Sequence, residues 1–192
     1  MATTTPMRHD THSTTAQGTW STKRIAVTAL LCAVSLVCTL MLEFPIIPGI
    51  NWLQYDPSAI IALLAGFAFG PATGAVVSIL PYLVHLATMS GVYGTIMAIL
   101  ATFTLVMPAS LIYSHNRSLR GAILGLVVGA VVCLVACIVG NILITPLYMD
   151  ISVQGVIDTI VPILLPFNLA KIAINCVVTV LIYKPVTKVL SA

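Results

Sequence analysis

Apolar runs close to 20 residues long recur between Lys23 and Lys184, separated by short stretches that hold most of the charged residues. Twenty residues at 1.5 Å each make a helix of about 30 Å, the thickness of a bilayer's hydrocarbon core. Within that core every backbone N–H and C=O must be satisfied inside the segment. Such a chain folds as α-helices that cross a membrane. Its charge content agrees, since 7% of the 192 residues are charged and 59% are hydrophobic, whereas ordinary soluble domains are about 25% charged. The fold class expected is an all-α membrane protein, a six-transmembrane-helix bundle with spans near 23–42, 57–70, 72–89, 93–113, 120–145 and 160–183.

Local signals mark several boundaries. Asp56, Pro57 and Ser58 supply a cap and a first-turn proline for the second, short helix, and "FGPATG" forms the tight turn into the third. Residues 1–22 are polar, Thr-rich and aperiodic, which predicts a disordered cytoplasmic tail ahead of one domain, 23–192. The apolar run after Lys23 and Arg24 is longer than a signal-peptide core and lacks a small-x-small cleavage site, so helix one is expected to be retained.

With both termini cytoplasmic, Arg8, Lys23, Arg24, Arg117, Arg120, Lys184 and Lys188 fall inside, while Glu43, Asp56, Asp150 and Asp158 fall outside. This is the positive-inside pattern. The basic residues therefore report topology and give no support to nucleic-acid binding, which needs them clustered on a soluble face. Cys32, Cys38, Cys133, Cys137 and Cys176 all lie in apolar runs and read as packing residues. Gly121, Gly125 and Gly129 form one small-residue stripe, Gly66 and Gly70 a second, and Ala29 and Ala33 a third.

Lys171 stands outside this pattern, in the oily run "LLPFNLAKIAINCVV". Asn168, Lys171 and Asn175 are spaced i, i+3 and i+7 and project from one helix face, and Asn141 lies near the end of the preceding helix. A lysine at membrane depth costs about 2.5–3.5 kcal/mol on insertion scales, so it normally faces a cavity or a partner. The alternative is snorkelling to headgroups from near the outer surface, which requires neither asparagine. Carboxamides and an ammonium together can read the edge of a planar heterocycle that carries carbonyls and an N–H.

The first outer loop, "EFPIIPGINWLQYDPSAI", is apolar and punctuated, and reads either as a lid that brings Trp52 and Tyr55 over a pocket or as an interfacial anchor. The segment "LYMDISVQGVIDTIVP" either adds Tyr148 or serves as a plain connector. No G-x-x-x-x-G-K-[ST] loop occurs, so the chain is not expected to use ATP itself. His85 is alone in its helix and reads as packing; neither an acid/base set nor a metal set is present, and no enzyme, cofactor or metal is expected.

These segments resemble the substrate-binding S components of energy-coupling factor (ECF) vitamin transporters, and within them the riboflavin-specific members. The likeness runs through most of the chain from Lys23 onward and rests on "ALLCAV", "FPIIPGINWLQYDPSAIIALLAGFAFGPATG", "GNILITPLY" and "LLPFNLAK". It implies a six-helix bundle in the plasma membrane of a prokaryote that takes riboflavin, or a related flavin, from outside. The partners it implies are a transmembrane coupling subunit and two cytoplasmic ATPase subunits. By position, Asn141, Asn168 and Lys171 resemble flavin-contacting residues, and Ala29 with Ala33 the surface that meets the coupling subunit.

Two features set the chain apart. Where the family often carries an acidic residue and a Lys-Asn pair on helix three, and an Asn on helix four, this chain has Ser78, Pro81 and Tyr82, and Thr102, which is expected to remove polar groups near the pocket. Riboflavin is also uncharged and cannot neutralise Lys171; a flavin mononucleotide phosphate would suit it better. The competing readings are a channel or facilitator that oligomerises through its glycine stripes, and an S component for another vitamin.

Overall fold

The computed structural model describes residues 20–87 and 91–191. Residues 1–19 of the expected tail, with Arg8, His9 and His12, lie outside the described residues. Helix α1 runs Thr22–Met41, capped by Ser21, whose hydroxyl accepts from Arg24 N. The loop after it forms a two-stranded antiparallel ribbon, β1 (Phe44–Pro45) with β2 (Gln54–Tyr55). There follow α2 (Ser58–Phe69), α3 (Pro71–Ile79), α4 (Gly91–His115), α5 (Leu119–Ile144), α6 (Val153–Thr159) and α7 (Leu165–Ser191).

Among the described residues, four rods are long and apolar enough to cross a membrane: Thr22–Met41, Gly91–His115, Leu119–Leu147 and Val153–Val186. The other two, Ser58–Phe69 and Pro71–Ala87, are shorter. The shortness of α2 follows from its position at the centre of the bundle, where Ala59, Ile60, Ala62, Leu63, Leu64, Ala65 and Phe67 are all buried. Protein surrounds it on every side, so its length need not match the bilayer.

Several boundaries differ from expectation. Pro57 occupies the N-cap of α2 rather than its first turn, and Asp56 Oδ1 accepts from Ser58 N at 3.0 Å. Gly70 belongs to no packing stripe: its φ of 92° makes it the hinge between α2 and α3, with Pro71 opening α3. Gly66 packs as expected, because a Cβ there would lie 2.0 Å from Ser110 Oγ. The third rod tightens into a 3₁₀-helix over Leu80–Ala87, where Pro81 has no N–H to extend the α ladder. The sixth begins earlier than expected: α6 passes through a π-turn at Ile160–Leu164, around Pro162, directly into α7.

Helices α4 and α5 approach most closely along the glycine stripe. A Cβ on Gly125 would meet Ala109 O at 2.7 Å, and one on Gly129 would meet Leu105 O at 2.4 Å. In lipid such close approach supplies the dispersion contacts that hydrophobic exclusion supplies in water. At the end of the bundle holding the loop between α1 and α2, Leu53, Val156, Leu164 and Phe167 form a second core, flanked by Ile46, Ile47, Ile50 and Trp52. The loop is thereby fastened onto α6 and the start of α7, over a cavity.

Candidate functional site

The cavity has a volume of about 310 Å³, at the lower end of the range for small-molecule sites. Asn51, Trp52, Leu53 and Gln54 of the loop line it on one side. One wall is α4, whose Gly94, Met97, Ala98 and Ala101 share a face at i, i+3, i+4 and i+7. Three of these four side chains are small, which leaves room for a flat ring against the helix. Cys137 and Asn141 come from α5, Phe167, Asn168 and Lys171 from α7, and Tyr82 and His85 from the 3₁₀ segment. Tyr148 completes the wall and stacks on Tyr93, with ring centroids 5.4 Å apart and planes 16° from parallel.

Asn141 and Asn168 are each held by backbone. Asn141 Nδ2 donates to Cys137 O at 2.8 Å, while its Oδ1 accepts from Thr145 Oγ1 at 3.1 Å. Asn168 Nδ2 donates to Leu164 O, at the end of the π-turn, at 2.8 Å. A carboxamide nitrogen carries two N–H groups, so each Asn keeps one donor after fixing its own rotamer.

Lys171 does not reach for headgroups. Its Nζ stands 3.7 Å from Asp56 Oδ2, and the two side chains are 12% and 6% exposed. Asp56 is held in turn: Oδ1 accepts from Ser58 N and Ser58 Oγ, and Tyr82 OH reaches both carboxylate oxygens, at 3.2 and 3.3 Å. Thr102 Oγ1 lies 2.9 Å from the same phenol, which in turn donates to the Asp56 carboxylate. Tyr82 and Thr102 thus add polar groups beside the cavity where their sequence context suggested a loss. Ser78 is spent on its own helix, donating to Gly74 O at 2.7 Å.

Of the residues singled out from sequence, Trp52, Asn141, Asn168 and Lys171 meet on this cavity. Tyr55 and Asn175 do not line it; they bond to each other, Tyr55 OH donating to Asn175 Oδ1 at 3.1 Å, and Asn175 borders a small void beneath. Burial, with the Asp56 charge behind it, pushes the Tyr55 phenol up to about 12, which keeps it a donor. Ala29 and Ala33 lie exposed on α1, away from the cavity. Sequence reasoning missed Glu43, Asp56 and His85, all of which border the cavity. Burial raises the Glu43 carboxyl above its usual range, as does the Asp56 charge to a smaller extent, against the opposing influence of His85 and Lys171. Only Asp56 carried a usable signal, as a carboxylate at the depth of an unpaired lysine.

Among the described residues, no group of three or more His, Cys, Asp and Glu side chains could hold a metal ion. The arrangement presents apolar faces, several fixed donors and one ion pair to whatever enters.

The family described as "ECF transporter, substrate-specific component" matches residues 23–183. A relative, "Riboflavin transporter RibU" of Staphylococcus aureus (strain TCH60), is 30% identical over 169 residues, covering 84% of this chain and 89% of the relative. A solved structure described as "Structure and mechanism of the S component of a bacterial ECF transporter" superposes with a TM-score of 0.76 at 27% identity, covering 88% of this chain and 98% of that one.

Proposed function

Because the chain belongs to the family of ECF transporter substrate-specific components, we propose that it captures riboflavin in the cavity beneath the loop, and releases it inward only when joined to a coupling subunit and two ATPases. The observation that carries this reading is the pairing of flat apolar walls with a polar edge. Leu53, Met97, Ala98 and Phe167 offer contact area to the faces of a fused ring, and Asn141, Asn168 and Lys171 offer donors to its carbonyl edge.

The difficulty of a neutral ligand beside an ammonium is met by Asp56. With Lys171 paired at 3.7 Å, an uncharged flavin enters without leaving a buried charge unbalanced. A phosphorylated flavin gains little, since Asp56 already holds the ammonium and Glu43 adds negative charge nearby. The reading places the cavity on the outer face and both termini inside, following the division of basic and acidic residues. The exposed Ala29 and Ala33 face of α1 is assigned to the coupling subunit.

The test is direct. Purified protein should quench riboflavin fluorescence at low ligand concentration, and vesicles containing the chain alone should accumulate little flavin until the coupling subunit and ATPases are added. Ala29→Trp should abolish copurification with the coupling subunit while quenching persists. Absence of quenching by well-folded protein would remove riboflavin as the ligand.

A further inference from the structure

Cys133 and Cys137 occupy successive turns of α5, 3% and 2% exposed, with their sulfurs 3.8 Å apart. Cys137 borders the ligand cavity, and both thiols border a smaller void directly beneath it, shared with Ala101, Asn168 and Lys171. Cys133 Sγ donates to Ala101 O at 3.2 Å. This is a pre-assembled dithiol at the floor of a site that small molecules enter, and riboflavin binding makes no use of it.

Its chemistry can be narrowed by elimination. A disulfide requires Cβ atoms about 3.5–4.5 Å apart, whereas residues i and i+4 of a helix hold theirs at about 5–6 Å, so joining the sulfurs directly would unwind α5. A bridging atom removes that mismatch. A thiophilic metal cation takes three or four protein ligands, and among the described residues no third His, Cys, Asp or Glu completes such a set with the two thiols. A trivalent atom that brings its own organic group needs only the two sulfurs.

We propose that Cys133 and Cys137 form a dithiol site for a neutral trivalent arsenical that enters by the ligand's route. The reaction balances without an oxidant: an organoarsenic(III) oxide condenses with two thiols, two As–S bonds form, the As–O bonds break, and the oxygen leaves as water with both thiol protons. Arsenic stays trivalent and the adduct is uncharged. Its organic group then projects upward into the cavity past Ala101 and Asn168, where a flavin would lie.

The experiment treats the full-length purified protein with phenylarsine oxide, then measures intact mass and counts free thiols. One arsenical per chain and the loss of two thiols are expected, reversed by dimercaptopropanol. A chain carrying C32S, C38S and C176S should react the same way, and C133S or C137S should lower the yield at least tenfold, with monodisperse elution showing that each variant is folded. If the folded chain takes no arsenical while the detergent-denatured chain does, or if the adduct maps to other cysteines, the proposal is overturned. Retardation by saturating riboflavin rests additionally on the reading of the cavity above: an adduct at Cys133 and Cys137 that riboflavin does not slow upholds the dithiol site and counts against the flavin site.

Discussion

Lys171 Nζ lies 3.7 Å from Asp56 Oδ2, joining the second turn of α7 to the residue that precedes the N-cap of α2. Removing one member of such a buried pair leaves the other charge uncompensated, an effect of about 3 kcal/mol. Asp56→Asn should therefore lower the melting temperature in detergent as well as flavin affinity. Lys171→Met in the same chain should recover much of the stability but not the binding, because the donor to the ligand is gone. A double substitution as unstable as the sum of its singles would show that the two charges do not interact.

Asn168→Ala should weaken riboflavin binding by about 1 kcal/mol or more, roughly a fivefold rise in Kd, the scale of one lost hydrogen bond. Tyr55→Phe should behave differently. Its hydroxyl bonds Asn175 and does not border the cavity, so thermal stability should fall while affinity changes little. Fluorescence quenching titrations on both variants separate the two roles.

Glu43 gives the site a pH dependence whose sign follows from burial. Its carboxyl is raised above the usual range mainly by desolvation, and a ligand that covers it further favours the protonated form again. Bound protein then holds the proton at a pH where free protein has lost it, so affinity should rise as pH falls through that window, just above the ordinary Glu range. The same sign governs stability, because the folded state binds this proton more tightly than the unfolded chain. Glu43→Gln should flatten the profile on that side; an unchanged slope in the variant would assign the dependence elsewhere.

Gly129 decides how closely α4 and α5 approach. A Cβ there would stand 2.4 Å from Leu105 O, a backbone atom that moves only with its helix. Gly129→Ala should destabilise the protein by about 1–3 kcal/mol, as overpacking does, read as an earlier loss of monodisperse protein on heating.

Much of this architecture was legible because its causes are local. Apolar length gave the long spans, and "FGPATG" gave the hinge at Gly70, since glycine readily adopts the positive φ found there. A lysine among asparagines on one helix face marked the cavity through the energetic penalty of placing it there. Boundaries governed by tertiary support were harder to place: α6 and the π-turn extend the last rod upstream because Val156 and Leu164 bury against the loop's Leu53, a contact that no sequence window contains.

Sequence alone determined that the chain is a bundle of membrane helices with one lysine at depth, because hydropathy, capping and side-chain spacing act between near neighbours. Only the tertiary structure decided that Asp56 neutralises that group, that Tyr82 and Thr102 brace Asp56, and that Tyr55 and Asn175 pair with each other away from the cavity. Charges and hydrogen bonds act over a few ångströms in space, and which residues come within that range is settled by how the helices pack.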